Sequence, residues 1–364
     1  MEGQKYLVAL SHFTRFGPRR LKLLFDYFGS WQNAWQTNVP DLMRCGIRDE
    51  TIERFLEFRK DFNVETILEK IAKNNIKIVY LEDSLYPPLL REIYDPPQLL
   101  YYKGQLNDKS FAAPISIVGT RKPTSYGKEV LQQLVKELNG QCSIISGLAL
   151  GIDCLAHVAA LETNTCTIAF LGSGLNNIYP RTNYHCAMRI IESGGAVMSE
   201  FPPDTLAYKT NFPRRNRLIA GSTLGTIVIE AAERSGTLIT ARYALEEGRE
   251  VFAVPGSIFT KTSEGTHNLL RSGAKIVTRA SDIIETLGLA KAMTHSFHQQ
   301  QLPLNSEERI LLELLGSETR HANELARLAK LDITVINSRL TIMEIKGLAK
   351  HLGGMYYMRT RQPL

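Results

Sequence analysis

Ile115-Ser-Ile-Val118, running straight into Gly119-Thr-Arg-Lys-Pro-Thr-Ser-Tyr-Gly127, is the stretch on which the reading of this chain turns. Its β-branched residues favour an extended, packed backbone, and the glycine and proline that follow stop the strand and open a loop. The same arrangement returns at Ser143-Ile-Ile145, Thr167-Ile-Ala-Phe-Leu171, Ala196-Val-Met198, Thr226-Ile-Val-Ile229 and Val251-Phe-Ala-Val254, with amphipathic helical patterns between them. Short apolar runs of this kind are strands buried on both faces, and helical connections make them parallel. The prediction is an α/β fold with an extended Rossmann-like parallel sheet over residues 63–288. A helix, a short strand at Ile76-Lys-Ile-Val-Tyr80 and a proline-punctuated segment through Pro96-Pro-Gln-Leu-Leu-Tyr101 lead into its first long run.

Outward from that core, residues 1–62 carry helical periodicity, broken at Phe16-Gly-Pro18 and Gly29-Ser30. They are predicted to form a small all-α domain of the SAM or helix-hairpin-helix kind. The Arg15-Phe-Gly-Pro-Arg-Arg20 turn opens a helix whose amides can hold a phosphate, although packing explains it equally well. In the other direction, residues 289–303, with His298-Gln-Gln-Gln301-Leu-Pro303, read as a linker. Three helical patterns near 306–315, 321–329 and 333–346 then precede a glycine-tipped hairpin at Gly353-Gly-Met-Tyr-Tyr-Met358, which predicts a winged helix over residues 304–364. Ser306 is the expected N-cap of its first helix.

At 364 residues, 44% hydrophobic and 22% charged, the chain has the balance of a globular protein of two or three domains. A net charge of +6 and a pI of about 9.0 are compatible with a polyanionic partner but do not require one. Cys45, Cys142, Cys154, Cys166 and Cys186 are widely spaced with no Cys-x-x-Cys pair, so they are expected to be reduced core thiols. The Met-Glu-Gly-Gln-Lys start lacks a signal-peptide pattern and no run reaches a membrane span, which predicts a cytoplasmic protein.

In a parallel sheet the ligand meets the carboxyl ends of the strands, so the loops there carry the functional reading. After the first run, small residues permit close approach of a ligand, and Arg121 and Lys122 add charge. After the second comes Ser146-Gly147-Leu-Ala-Leu-Gly-Ile-Asp153, whose spacing does not fit the Gly-x-Gly-x-x-Gly dinucleotide pattern. Asp153 is expected to organise that turn and His157 to be a buried, hydrogen-bonded helix residue. Gly172-Ser-Gly174-Leu175 and Ile178-Tyr-Pro180 follow the third run, and Ser199-Glu200 leads from the fourth towards Lys209. There begins Asn211-Phe-Pro-Arg-Arg-Asn-Arg-Leu-Ile-Ala-Gly221, which sets three guanidiniums and an aromatic ring in a turn-like segment without an acid. Arg214, Arg215 and Arg217 suit phosphates, Asn216 lies among them, and Phe212 offers a face for a base. No Walker loop, nucleophilic triad, zinc-ligand spacing or two-metal carboxylate cluster is present, so binding without turnover, metal or cofactor is expected. Glu200, Glu230 and Glu233 are read as anchors for neighbouring amides or for Arg217.

Together, Val118-Gly-Thr-Arg121, Ser146-Gly-Leu-Ala-Leu-Gly-Ile-Asp153, Gly172-Ser-Gly-Leu175, Tyr179-Pro180, Phe212-Pro-Arg-Arg-Asn-Arg217, Ser235-Gly-Thr-Leu-Ile-Thr240 and Val254-Pro-Gly256 resemble the DprA/Smf family of DNA-processing proteins. The resemblance implies a single-stranded DNA binder that forms a homodimer through its Rossmann-like domain and loads RecA onto strands entering in natural transformation. Arg121, Phe212, Arg215, Asn216 and Arg217 fall on family motif positions, whereas Arg214 stands at a variable one and Lys209 is inferred from charge. The expected site is a pocket lined by Gly147, Gly172 and Gly174, where Arg121, Lys209, Arg215 and Arg217 grip phosphates and Phe212 stacks on a base. Two alternatives stand beside it. Gly225-Thr226 and Glu230 resemble the end of the LOG-type nucleotide phosphoribohydrolase motif, though Glu230 lies one residue too far along. Arg339, Lys346, Lys350 and Arg359 would serve a winged-helix regulator of duplex DNA.

Overall fold

The computed structural model describes residues 3–289, 305–315, 319–345 and 348–359. The glutamine-rich stretch read as a linker, Lys346 and Gly347 lie outside the described residues. The chain forms two compact units that divide between positions 290 and 291.

The first unit is built on a nine-stranded sheet, with β1 Lys77–Tyr80, β2 Leu99–Gly104, β3 Ile115–Val118, β4 Ile144–Ser146, β5 Thr167–Phe170, β6 Ala196–Ser199, β7 Gly225–Val228, β8 Glu250–Ala253 and β9 Lys275–Ile276. Their order is β1-β2-β6-β5-β4-β3-β7-β8-β9. From β6 to β9 every pairing is parallel, as expected. β2 departs from the prediction, pairing antiparallel with both β1 and β6. Pro96 and Pro97 mask it in the sequence, yet Leu99 to Tyr102 are all buried.

Ile115 and Ile117 face Ile227, Phe252 and the Ser125–Glu137 and Ile152–Glu162 helices, whereas Val118 packs with Ile145, Ile168 and the Asn211–Gly221 and Thr237–Glu246 helices. Covering both faces explains why the strands read as unbroken apolar runs. The chain winds from β3 to one side as far as β6, then returns to β7 on the other. The carboxyl ends of β3 and β7 therefore flank the point where the winding reverses, which opens a crevice.

Six helices precede the sheet: Gln4–His12, Pro18–Phe28, Trp31–Gln36, Val39–Arg44, Asp49–Asp61 and Val64–Lys73. Ser30, Asn38 and Asn63 each accept a backbone N–H three residues on, capping their helices as short polar side chains do. Phe13, Phe16, Trp35 and Phe55 form an aromatic centre. That core continues into Leu99, Tyr101, Ala169 and Val197 of the sheet. The Ser11 and Tyr101 hydroxyls, 2.8 Å apart, tie the first helix to β2.

The second unit has the three predicted helices, Ser306–Leu315, Ala322–Ala329 and Ile333–Ile345, and the predicted hairpin, strands β11 Ala349–His351 and β12 Tyr356–Arg359; a short strand not predicted, β10 Arg320–His321, completes the order β10-β12-β11. Asn305, not Ser306, caps its first helix. Its side chain accepts the Glu308 N–H at 2.8 Å while Glu308 accepts the Asn305 N–H at 3.1 Å, a reciprocal capping box.

Candidate functional site

The crevice above β3 and β7 encloses about 470 Å³ and is lined by Gly119, Arg121, Phe212, Asn216, Ser235 and Thr240, among others. Arg121 is exposed, and among the described residues it forms no ion pair. Its guanidinium carbon lies 6.0 Å from the Phe212 ring centroid, within cation–π range. The half-exposed Tyr179 also stands beside Phe212, 5.8 Å between ring centroids. Arg121 and Phe212 thus line the crevice together, with a second ring next to Phe212. Tyr179 was not singled out in the sequence, where Ile178-Tyr-Pro180 reads only as a loop after β5.

The loop that carries Arg121 is braced on three sides. Thr120 donates its N–H to the Glu230 carbonyl at 2.8 Å and accepts the Ile152 N–H at 3.1 Å, and the Thr237 hydroxyl donates to the Gly119 carbonyl at 2.9 Å. The Thr120 amide is therefore committed to the protein rather than available to an oxyanion. Lys122, beyond it, is exposed and turns its own N–H back to the Thr120 hydroxyl.

The basic segment is a helix, Asn211–Gly221, not a turn. Helical winding separates its arginines. Arg215 and Arg217 are 4% and 6% exposed. Arg215 donates through one nitrogen to the carbonyls of Gly147 and Phe170 and through Nε to Asn216 at 3.1 Å. It faces the buried Asp153, whose carboxyl is pushed up by burial while Arg215 and the amides of Ala149, Gly119 and Gly147 act against that. Burial lowers the Arg215 pKa to about 10, so it remains a cation at neutral pH. Arg217 pairs with Glu200 and with Asp95, donating to the Asp95 carbonyl at 2.7 Å.

Arg215 and Arg217 were expected to grip phosphate; in the fold each guanidinium is buried and engaged by these partners. Arg215 clamps the ends of β4 and β5, and Arg217 anchors Glu200, as the isolated acid after β6 had indicated. Arg214 is exposed on another flank, its guanidinium carbon 4.9 Å from the Phe201 ring centroid. Lys209 is exposed in the turn before the helix.

The glycines stand close against other parts of the protein. A Cβ on Gly147 would come within 2.6 Å of the Arg215 guanidinium and the Asp153 carboxylate. On Gly172 it would lie 2.9 Å from the Phe212 ring, and on Gly174 it would lie 2.2 Å from the Pro202 and Pro203 carbonyls. Gly172 thereby sets how deep Phe212 can sit. The motif spacing marks these positions, but sequence alone does not tell whether a side chain of the chain or a ligand fills the space.

Among the acids, Glu230 is 3% exposed and both oxygens are occupied. They accept from the Thr124 N–H at 2.9 Å, the Thr124 hydroxyl at 2.7 Å and the Thr262 hydroxyl at 3.1 Å. His157 is buried as expected, its Nδ1 2.7 Å from the Thr167 hydroxyl, and burial pushes its pKa down to about 3. No group of His, Cys, Asp and Glu suited to a metal ion occurs among the described residues.

Comparison with known proteins places this geometry in a lineage. Residues 77–288 match the model of the DNA recombination-mediator protein A family, and residues 296–355 match the DprA winged helix domain. Protein Smf of Escherichia coli is 38% identical over 331 residues, covering 88% of this chain and 87% of the relative. DNA processing protein DprA of Streptococcus pneumoniae is 45% identical over 247 residues, covering 68% of this chain and 85% of the relative. The X-ray structure of DprA from Streptococcus pneumoniae superposes with a TM-score of 0.68 at 35% identity, covering 77% of this chain and 97% of that one. DNA processing protein A from Helicobacter pylori, whose structure is described for its single-stranded DNA binding mode, superposes with a TM-score of 0.51 at 32% identity, covering 58% of this chain and 95% of that one. With the family model matched across the sheet and the winged-helix model matched beyond it, this chain belongs to the DprA/Smf family.

Proposed function

We propose that the protein binds single-stranded DNA in the crevice above β3 and β7, without turning it over. The observation that carries this reading is the meeting of Arg121 and Phe212 at one mouth, with Tyr179 beside them. Arg121, helped by Lys122 and Lys209 at the rim, meets phosphate, while Phe212 and Tyr179 offer faces to bases. Every base has a stacking face, so binding is indifferent to sequence and weakens with salt. Arg215, Asn216, Gly147 and Gly172 act by shaping the crevice wall, Gly174 by packing against the Pro202–Pro203 backbone, and Arg217 by holding the helix that carries Phe212. Arg214 stays a candidate for strand contact outside the crevice.

Family membership supports the wider reading: a homodimer in the cytoplasm that delivers bound strands to RecA. A division of labour among residues 1–62, 63–288 and 304–364 belongs to the same proposal. The commitment of both Glu230 oxygens to Thr124 and Thr262 favours binding over nucleotide hydrolysis. Fluorescence anisotropy with labelled oligonucleotides tests the site. Arg121→Ala and Phe212→Ala are expected to weaken single-strand binding strongly, and wild-type affinity in the folded double variant would refute it.

A further inference from the structure

We propose that a bound single strand does not end at the crevice but continues down a second groove, along the Tyr184–Glu192 helix towards the opposite edge of the sheet. This rests on the crevice reading above. The groove, about 1040 Å³, is the larger of the two spaces and begins beside the crevice, since Tyr179 lines the groove and stands 5.8 Å from Phe212, which lines the crevice. A strand leaving the Phe212 ring meets this groove next.

The course of the groove follows from the topology. Tyr179 belongs to the loop after β5, at the carboxyl edge of the parallel strands, whereas Lys103 and Gly104 of the antiparallel β2 pair with Val197 and Ala196 at the start of β6. The groove therefore crosses from one edge of the sheet to the other, flanked by the Tyr184–Glu192 helix and by Asn74 and Asn75 at the end of the Val64–Lys73 helix.

Its chemistry suits a polyanion with flat substituents. Arg181, Lys103 and Lys77 line it, and no acidic side chain does. Arg181 and Lys103 form no ion pair among the described residues, and Lys77 uses one donor on the Gly104 carbonyl at 3.1 Å. The neighbouring Asp204 is held back by Asn176 at 2.7 Å. Tyr184, 54% exposed, stands on the wall below Tyr179 as a second ring on which a base can stack. Cations and tyrosines lining one groove, without anions, repeat the chemistry of the crevice on a larger scale.

The test is affinity for oligothymidylates lengthened one nucleotide at a time. Wild type should keep gaining affinity beyond the length that fills the crevice. Lys77→Ala/Lys103→Ala and Tyr184→Ala should match wild type on the shortest binding oligonucleotides and fall about tenfold behind on long ones. For the lysine pair, the salt dependence on long strands should flatten by about 1.4 in log–log slope, the share of two phosphate contacts on single strands. Thermal unfolding checks that each variant is folded.

If the groove variants follow wild type at every length while Arg121→Ala weakens them all, the groove is not part of the path and the crevice reading stands. If they weaken short and long strands equally, the groove is not a downstream segment. Should Arg121→Ala change nothing at any length, both readings fall.

Discussion

Arg121 and Phe212 are far apart in the domain sequence, yet the guanidinium carbon of one lies 6.0 Å from the ring centroid of the other. One is held by the loop after β3 and the other by the first turn of the Asn211–Gly221 helix, so the pair exists only when the sheet is assembled. Phe212→Ala should cost about 1–3 kcal/mol of single-strand affinity if the ring carries a base. A double-mutant cycle with Arg121→Ala should return a coupling of about 0.5–1 kcal/mol. Additive losses, measured by anisotropy, would mean that the two act on separate parts of the strand.

Arg217→Ala should damage folding more than binding. Both partners of the Arg217–Glu200 pair are at least nine-tenths buried, so removing the arginine strands a carboxylate, at a cost of about 3–5 kcal/mol. Denaturant unfolding is expected to show that loss, while single-strand affinity in native buffer stays close to wild type. A variant of unchanged stability and lost binding would restore Arg217 to the contact surface.

Gly172→Ala and Gly174→Ala should separate the two effects. The new methyl at position 172 presses on the Phe212 ring, a side chain that can move, so binding weakens with little change in melting temperature. At position 174 it meets the Pro202 and Pro203 carbonyls, backbone that cannot step aside, and a loss of about 1–3 kcal/mol of stability is expected. Equal effects on both measurements would contradict this assignment.

His157 gives stability a pH dependence. Its pKa in the fold is about 3, below the ordinary 6.5, so as pH falls the unfolded chain takes the proton first. Its contribution is complete above pH 6.5 and is lost as pH falls towards 3, with a slope approaching about 1.4 kcal/mol per pH unit. Urea unfolding of wild type and His157→Gln over the acid range should show a shallower dependence in the variant; parallel curves would dismiss the effect.

Deleting residues 304–364 is expected to leave single-strand affinity nearly unchanged, because the crevice is built entirely from the first unit. Loss of all affinity would favour the winged helix as the DNA-binding element.

The strands were legible where burial on both faces left a plain apolar signature: Ile115–Val118 has the predicted bounds. β2 was not, because its pairing is antiparallel and prolines stand at its entrance. Within the site, Arg121 was visible as a charge in a strand-end loop, whereas the burial of Arg215 and Arg217 was not, for a physical reason. A run of arginines looks exposed until the carbonyls of Gly147 and Phe170 and the carboxylates of Glu200 and Asp95 are brought to it from distant segments. Only Glu200, an isolated acid after β6, hinted at that arrangement.

The hydroxyl pair of Ser11 and Tyr101 marks a boundary that is not a seam. Leu99, Tyr101 and Val197 are sheet residues, but the helices of the front supply the other half of their core. A fragment starting at residue 63 would carry that half-core into water as a sticky apolar face. Poor solubility of such a fragment would report a missing lid on the sheet, so loss of DNA binding by it would say nothing about whether the front touches DNA.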